Sequence, residues 1–320
     1  MRLFRSRKPL CALALLVVVL TAVSAFAAPE PEERGADAFS VIWISDTQSM
    51  TEKPTFEPGI ERMFSWIAEN AEAERIAAVV HTGDVVENGW NERQWERIEK
   101  GIAKLPEDLP FIVAAGNHDV AKRKVSYERW LGRDFVRRYD AAHTYRGGAG
   151  VYRTVDAGEV KLLFVAIGYG SMDEDGFAWM REVLDAHPDH IGIVLAHSIL
   201  SYNNRERSTY TREGRRLMEE VAAKCDNVRL MLCGHVPGTT RTREVYPKGD
   251  GFRTVDVLRY NYQDRKTPKY QGYLRILRFE PTAGSLESIT YSPVHDSFRY
   301  DWKDAANEHF VIPDFFPKAP

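Results

Sequence analysis

The stretch FIVAAGNHD, residues 111–119, decides the fold prediction. Its apolar half is too short for a helix and is typical of a buried strand. Gly116 permits a sharp turn where the strand ends, and Asn117, His118 and Asp119 follow at once. These side chains are expected at the carboxyl end of a strand, where open α/β sheets bind ligands. The alternative is a turn whose Asn and Asp bond their own backbone.

The same pattern recurs along the chain, because four other apolar runs end in an acidic residue or a histidine. These predicted strands are residues 40–45 before Asp46, 76–80 before the loop with Asp84, 191–196 before His197, and 228–233 before His235. Amphipathic helices are predicted between them, over residues 56–73, 91–104, 177–186 and 211–224. This alternation predicts an α/β fold with a parallel sheet covered by helices. The strand-like runs after residue 240 predict a second, mostly antiparallel sheet.

The five predicted strand ends are expected to converge. The carboxyl ends of parallel strands lie at one edge of a sheet, so all five can meet in one crevice. Carboxylate and amide oxygens bind hard divalent cations, and imidazole suits Zn, Fe and Mn. Each residue alone has a structural alternative, as a turn residue or a core histidine. Five such strand ends in succession favour a metal site.

In order and spacing these residues resemble the calcineurin-like metallophosphoesterase family. The matching elements lie within residues 40–292 and are Asp46-x-Gln48, Gly83-Asp84, Gly116-Asn117-His118-Asp119, His197 and Gly234-His235. The resemblance implies an α/β fold, specifically a four-layer αββα sandwich of two mixed sheets with the metal site at the carboxyl ends of the strands. It also implies hydrolysis of phosphomonoesters or phosphodiesters by metal-activated water.

The resemblance implies roles for the matching residues. The second metal of the family would be held here by Asp84, Asn117, His197 and His235, and the first by Asp46, Gln48 and the bridging Asp84. The ion would be Mn, Fe or Zn. His118 would be the general acid for the leaving oxygen, with Asp119 orienting its ring. Asn117, His118, Tyr202 and Asn203 are the candidate substrate-binding residues.

Two positions depart from the family pattern. Gln48 stands where the family usually has His, and Pro237 stands where a second His usually follows His235. Both missing imidazoles belong to the first metal. Gln48 keeps a neutral carbonyl oxygen, whereas Pro237 offers no side-chain ligand. The second site is therefore predicted to be complete and the first to be weak. The rival hypothesis is a catalytically impaired protein on the same fold that binds metal or a phosphorylated ligand.

The Asp-Thr-Gln form of the first motif is similar to that of an exported bacterial subgroup of the family. The start of the chain also predicts export. Residues 1–27 combine a basic start, an apolar stretch from Leu10 to Val23, and the small residues of Ala25-Phe26-Ala27. This is typical of a signal peptide cut near Ala27, which predicts a periplasmic or secreted protein. The alternative is an uncleaved membrane anchor.

Charge and composition limit the expected partners. Removing residues 1–27 leaves 39 basic and 46 acidic residues, a formal net charge of −7. This balance argues against nucleic acid as a general polyanion partner, and no other segment is expected to span a membrane. The expected substrate is a phosphorylated small molecule, nucleotide, lipid or protein.

The mature chain is expected to contain one catalytic domain. The predicted division is a flexible lead-in over residues 28–39, the metallophosphoesterase domain over 40–294, and an aromatic-rich tail over 295–320 that packs on the domain. Cys225 and Cys233 would remain, and the strand predicted between them separates them too far for a disulfide. Two buried free thiols are expected.

Overall fold

Two large mixed sheets form the centre of the computed structural model, which describes residues 34–120, 143–202, 208–263, 272–298 and 305–316. The strands of these ranges are β1 Phe39–Ile44, β2 Ile76–His81, β3 Phe111–Val113, β4 Thr144–Tyr145, β5 Gly150–Ala157, β6 Val160–Ile167, β7 Ile191–Ala196, β8 Leu200–Tyr202, β9 Ser208–Tyr210, β10 Val228–Cys233, β11 Gly238–Lys248, β12 Gly251–Asn261, β13 Leu274–Glu280, β14 Ser285–Ser292, β15 Ser297–Phe298 and β16 His309–Ile312. The first sheet has the order β15-β14-β13-β1-β2-β3, with β16 also paired to β14. The second has the order β11-β12-β10-β7-β6-β5-β4.

The helices of the described residues lie mostly between consecutive strands. They are Gln48–Glu52, Glu57–Glu69, Glu92–Ile102, Asn117–Val120, Glu174–Asp185, Arg212–Leu217 and Ala305–Glu308, with 3-10 turns at Pro54–Phe56 and Arg146–Gly148 and a π turn at Met218–Ala222. The four longer predicted helices are present with shifted ends. The largest difference is in the predicted helix 211–224, which is α-helical only to Leu217 and continues as the π turn.

Successive side chains along the strands of the second sheet point alternately into two different hydrophobic cores. Leu162 and Phe164 lie in the core that joins the two sheets, whereas Leu163 and Val165 lie in the core beneath Phe177 and the helices of the second half. This alternation follows from the period of two along a strand. Helices 57–69 and 92–102 contribute to the first core and helices 174–185 and 212–217 to the second. The layers are therefore helix, sheet, sheet and helix, as the family resemblance implied.

The second sheet differs from the one expected from local patterns. The pairs β6–β7, β7–β10 and β10–β12 are parallel, so the second sheet is not mostly antiparallel. Hairpin β13–β14 belongs instead to the first sheet, where β13 pairs with β1 and the Phe39 and Phe279 rings stack at 4.9 Å. A hairpin pattern predicts local pairing, but contacts distant in sequence decide which sheet it joins.

The five predicted strand ends also come from two sheets rather than one. The strands before Asp46, Asp84 and Asn117 are parallel neighbours in the first sheet. The strands before His197 and His235 are parallel neighbours in the second. The crevice predicted at one sheet edge is therefore built where the carboxyl ends of two packed sheets meet.

Several other predictions concern the ends and the cysteines. Cys225 and Cys233 are both free and buried, as expected. No helix within the described ranges is long and apolar enough to cross a bilayer. Residues 1–33, with the predicted signal peptide, lie outside the described residues, as does Asn203. In the segment predicted as a packed tail, β16 pairs antiparallel with β14 and Phe315 is buried.

Candidate metal centre

Three of the turns that follow the site strands have an unusual backbone. Asp46, Asp84 and His235 have φ values of 54°, 52° and 67°. Left-handed conformations cost energy for residues with a side chain, and they are concentrated at functional sites. Each turn directs a potential metal ligand back over the end of its strand. The strain indicates that these side-chain positions are fixed by the fold.

Two glycines allow the strand ends to approach each other closely. A Cβ on Gly116 would collide with the backbone nitrogen and carboxylate of Asp84. A Cβ on Gly234 would collide with the Asp46 carboxylate and the Ser45 hydroxyl. Gly116 thus joins two strand ends of the first sheet, and Gly234 joins the end of β10 to the end of β1. The second contact brings the histidines of one sheet to the carboxylates of the other.

Changing Gly234 to Ala is expected to lower the free energy of unfolding by about 1–3 kcal/mol, because an inserted methyl group must displace well-packed atoms. Denaturant unfolding measures the loss. Gly251→Ala is the matched control, since a Cβ there has only Lys248 O nearby, at 3.8 Å. Equal stability of the two variants would contradict the close approach described for Gly234.

Three potential ligand atoms converge on the ring nitrogen Nε2 of His197, which is itself a fourth. It lies 3.1 Å from Asp84 Oδ2, 3.1 Å from Asn117 Oδ1 and 3.1 Å from His235 Nδ1. One ring nitrogen carries at most one proton, so it cannot satisfy all three neighbours by donation. With metal–ligand bonds of about 2.1 Å, adjacent ligand atoms of a coordinated ion lie about 3.0–3.4 Å apart. The donor set and its spacing therefore fit a divalent cation.

The His197 ring is already oriented for coordination. Its other nitrogen, Nδ1, lies 2.8 Å from the carbonyl oxygen of Thr82 and donates to it. This hydrogen bond favours the tautomer with a lone pair on Nε2, and a backbone carbonyl in this position is typical of metal-bound histidines. The side chain is fully buried. Thr82 lies in the loop that also carries Asp84, so one loop supplies both a ligand and the support for another.

Charge interactions at the centre are strong in the metal-free protein. Burial alone would lower the pKa of His197, but the charge and hydrogen bond of Asp84 raise it to about 9. Burial would raise the pKa of Asp84, and the charged His197 lowers it instead. Burial and the nearby Asp84 charge raise the pKa of Asp46 to about 7. Burial and the charge of His197 lower the pKa of His235. The Asp84 charge thus favours the protonated form of His197.

Metal binding is expected to release this proton. A metal needs the neutral ring, whereas metal-free His197 keeps its proton up to about pH 9. The metal affinity should therefore rise about tenfold per pH unit between pH 7 and 9 and level off above. Calorimetric titration in buffers of different ionisation enthalpy counts the released protons. An affinity that is constant from pH 7 to 9 would show that His197 is not a ligand.

His118 lies beside the cluster with one ring nitrogen held. Its Nδ1 is 3.0 Å from the Glu87 carbonyl oxygen and 3.2 Å from Glu87 Oε2. Its Nε2 is 4.0 Å from Asp84 Oδ2, on the side of the predicted metal ligands. The side chain is 18% exposed, so substrate can reach it. The backbone nitrogen of His118 donates to Asp84 Oδ1 at 2.8 Å, which fixes the two residues relative to each other.

Asp119 occupies a different position from the one expected. Its two carboxylate oxygens accept from the backbone nitrogens of Gly116 at 2.7 Å and Val86 at 3.0 Å. It therefore holds two loops together, and Glu87 occupies the place beside the His118 ring. Sequence reasoning missed Glu87. Its only signal is an acidic residue three positions after Asp84 in the loop that follows β2.

The other end of the crevice contains Asp46 and Gln48. Ser45 Oγ donates to Asp46 Oδ2 at 2.5 Å, and the backbone nitrogen of His235 lies 3.2 Å from both Asp46 oxygens. Gln48 Nε2 is 3.2 Å from Asp84 Oδ2 and 2.5 Å from Gln263 Oε1. The structure thus places the Gln48 amide between Asp84 and a second glutamine, Gln263, which sequence reasoning also missed.

Tyr202, a predicted substrate contact, lies at the end of β8 and is 39% exposed. The guanidinium of Arg259 lies over its ring at 3.9 Å from the centroid. The Tyr169 ring, which the sequence did not indicate, meets the His197 ring edge-on at 6.4 Å between centroids. Of these two aromatic side chains, Tyr169 thus lies beside a predicted ligand.

Comparison with known proteins assigns the family. The family model for the calcineurin-like phosphoesterases matches residues 39–238. This range is more than half of the chain and contains every predicted metal ligand. The chain belongs to the calcineurin-like phosphoesterase family, whose members use divalent metals to hydrolyse phosphoesters.

Individual relatives cover different parts of the chain. The uncharacterized protein YvnB of Bacillus subtilis is 31% identical over 281 residues, which are 85% of this chain and 21% of YvnB. A probable glycerophosphodiester phosphodiesterase, GpdQ of Arcobacter nitrofigilis, is 25% identical over 51% of this chain and 58% of its own. The chain thus spans about a fifth and about three-fifths of these two relatives.

A solved structure supports the fold. Purple acid phosphatase PPD1 from yellow lupin seeds superposes with a TM-score of 0.53 at 16% identity, over 90% of this chain and 55% of its own. At this identity the likeness concerns the fold alone. It agrees with the two packed sheets and outer helices described above.

Proposed function

We propose that this protein is a metal-dependent phosphoesterase that hydrolyses a phosphomonoester or phosphodiester of a small molecule. The observation that carries the proposal is the convergence of Asp84, Asn117 and His235 on His197 Nε2, each at 3.1 Å, beside a partly exposed His118. The four ligand-type atoms fit one cation, and His118 lies at the open side.

The cation and the side chains of the protein would each supply part of the catalysis. A divalent cation in such a site neutralises phosphate charge and makes water a stronger nucleophile at neutral pH. Asp84, Asn117, His197 and His235 would hold it. His118 would donate a proton from Nε2 to the leaving oxygen, while Glu87 holds Nδ1 and thereby orients the ring. General acid catalysis of this kind contributes about 10²–10⁴-fold.

The substrate class and location are parts of the same proposal. GpdQ of Arcobacter nitrofigilis is named as a probable glycerophosphodiester phosphodiesterase, which supports a phosphodiester of a small polar alcohol. Asn117, His118 and Tyr202 would contact the substrate, and nucleotide, lipid or protein phosphoesters are the other candidates. The signal-like residues 1–27 support action in the periplasm or outside the cell.

The rival function is metal or phosphoester binding without turnover. Gln48 and Pro237 favour it, because the two imidazoles expected on the Asp46 side are missing. Thr239, the next hydroxyl after Pro237, does not replace them: its Oγ1 donates to Glu308 Oε1 at 3.3 Å. If the rival function is correct, the protein should bind metal and phosphate but leave ester bonds intact.

Assays with p-nitrophenyl phosphate and bis(p-nitrophenyl) phosphate, each with Mn²⁺, Fe²⁺ or Zn²⁺, separate the two functions. The proposal predicts turnover that a chelator abolishes and that returning metal restores. The comparison of the two substrates assigns monoesterase or diesterase activity, and glycerophosphodiesters then test the natural class. Saturable metal and phosphate binding with no hydrolysis of any substrate would establish the rival.

A further inference from the structure

Two glutamine side chains from distant parts of the chain meet beside the predicted bridging carboxylate. Gln48 begins the short helix Gln48–Glu52, and Gln263 lies two residues beyond β12. Gln48 Nε2 is 2.5 Å from Gln263 Oε1 and 3.2 Å from Asp84 Oδ2. The amide nitrogen of one glutamine therefore lies between two oxygen atoms of other residues.

The Gln48 amide is buried and only half satisfied. The residue is 1% exposed, and its Oε1 has no hydrogen-bond partner among the described residues. Leaving a buried carbonyl oxygen unpaired costs about 1–3 kcal/mol. The oxygen and nitrogen of an amide exchange places by a rotation of 180°. That rotation would bring Gln48 Oε1 beside Asp84 Oδ2 and Gln263 Oε1, and a bound cation would make these three adjoining oxygens favourable.

Gln263 is held in place by Asn261, the last residue of β12, which also binds the backbone of the predicted ligand His235. Asn261 Oδ1 accepts from the backbone nitrogen of Gln263 at 2.7 Å, and Asn261 Nδ2 donates to the carbonyl oxygen of His235 at 3.0 Å. Asn261 is buried, with 1% exposure. Through Asn261, the backbone of Gln263 is thus fixed relative to the turn that carries His235.

A small cavity adjoins Gln263. It has a volume of about 20 Å³, and its lining includes Asp46, Gln263, Ser45 and Tyr262. A space of this size holds about one water molecule when polar groups surround it. Asp46 and Gln263 therefore face a common space that an ion or its water ligand can enter.

We propose that Gln263 supplies the ligand that Pro237 cannot, and that Asp46, Gln48, Asp84 and Gln263 form an oxygen-only site for a hard divalent cation. The Gln48 amide nitrogen marks the position of that cation, between Asp84 and Gln263. Oxygen-only sites favour Mg²⁺, Mn²⁺ or Ca²⁺, whereas the site with His197 and His235 also suits Zn²⁺ and Fe²⁺. The two sites are thus expected to differ in their preferred metal.

Mn²⁺ binding to the full chain tests this inference without using activity. Titration followed by the electron paramagnetic resonance of free Mn²⁺ should show two sites. Two bound ions about 3.5–4 Å apart, the spacing of two-metal sites, should give a spin-coupled signal. Gln263→Met keeps the length of the side chain and removes its oxygen. It should weaken the second Mn²⁺ by about 10–100-fold, the loss typical even of residues that only support a ligand, and abolish the coupled signal.

Gln263→Glu is the complementary variant, since it keeps the oxygen and adds charge. It should tighten Mn²⁺ at the oxygen-only site by about tenfold and leave Zn²⁺ binding at the His197 site unchanged. The unfolding temperature of each metal-free variant shows whether the fold is intact. The inference is overturned if Gln263→Met binds two Mn²⁺ ions as tightly as the original chain does, or if the original chain binds only one at saturation.

The inference builds on the proposed metal chemistry, but the two can fail separately. If the protein hydrolyses esters with one bound ion, the phosphoesterase proposal stands and the proposed oxygen-only site is wrong. If the protein binds two Mn²⁺ ions in a way that depends on Gln263 but hydrolyses no ester, the oxygen-only site stands and the phosphoesterase proposal is wrong.

Discussion

Replacing His118 by alanine is expected to lower kcat by about 10²–10⁴-fold, the usual contribution of a general acid, while the bound metal is retained. The physical reason is the poor stability of an alkoxide leaving group without a proton. His118 Nε2 lies 4.0 Å from Asp84 Oδ2, close enough to the predicted metal ligands to reach a leaving oxygen. Steady-state kinetics and metal content should be measured on the same preparations.

The leaving group provides an internal check on this role. The loss should be large for an alkyl ester and much smaller for a p-nitrophenyl ester, because p-nitrophenolate leaves without protonation. Glu87→Gln should have a smaller effect of the same kind, since the Glu87 backbone carbonyl still accepts from Nδ1. His190→Ala is the control, because the His190 ring packs against His187 and not against the predicted ligands. An equal loss for both ester types would show that His118 is not the proton donor.

Changing Asp84 to Asn is expected to remove metal and activity together. Asp84 Oδ2 lies 3.1 Å from His197 Nε2 and 3.2 Å from Gln48 Nε2, so it faces both halves of the crevice. An amide takes away the charge that attracts the cation. Metal affinity should fall by more than the roughly 10–100-fold typical of losing a residue that only supports a ligand. Turnover should fall to that of the metal-free protein.

The same variant has a second consequence that does not depend on catalysis. The charge and hydrogen bond of Asp84, together with the charge of Asp46 and the Thr82 carbonyl, raise the pKa of His197 to about 9 against the effect of burial. In metal-free Asp84→Asn protein, this pKa should fall clearly below 9, as followed by nuclear magnetic resonance of the ring protons. Asp175→Asn changes an exposed carboxylate paired with Arg146 and should alter neither property. A His197 pKa that stays near 9 without Asp84 would refute the electrostatic account.

The sequence predicts the site well where a ligand follows its own strand directly. Asp46, Asn117 and His197 each lie within four residues of the end of a strand. Short apolar runs ending in polar residues therefore located the side chains that the fold brings together. Local patterns did not predict that two sheets contribute, because membership of a sheet depends on pairings such as Ile42 with Ile276.

The site residues that the sequence did not predict reach the site through contacts with residues far away in the sequence. Gln263 is 215 positions from Gln48, and nothing in the residues around Gln263 indicates a ligand. Glu87 has a weak local signal, but its contact with His118 depends on how two loops pack. Asp119 shows the converse case, since its position in the motif suggested contact with His118 although its oxygens bind Gly116 and Val86.

Anomalous diffraction from crystals of the metal-loaded protein tests the central claim most directly, because it locates the cation without reference to any substrate. A peak is predicted about 2.0–2.2 Å from Asp84 Oδ2, Asn117 Oδ1, His197 Nε2 and His235 Nδ1 together. A fully loaded crystal whose anomalous density lies away from these four atoms would contradict the account.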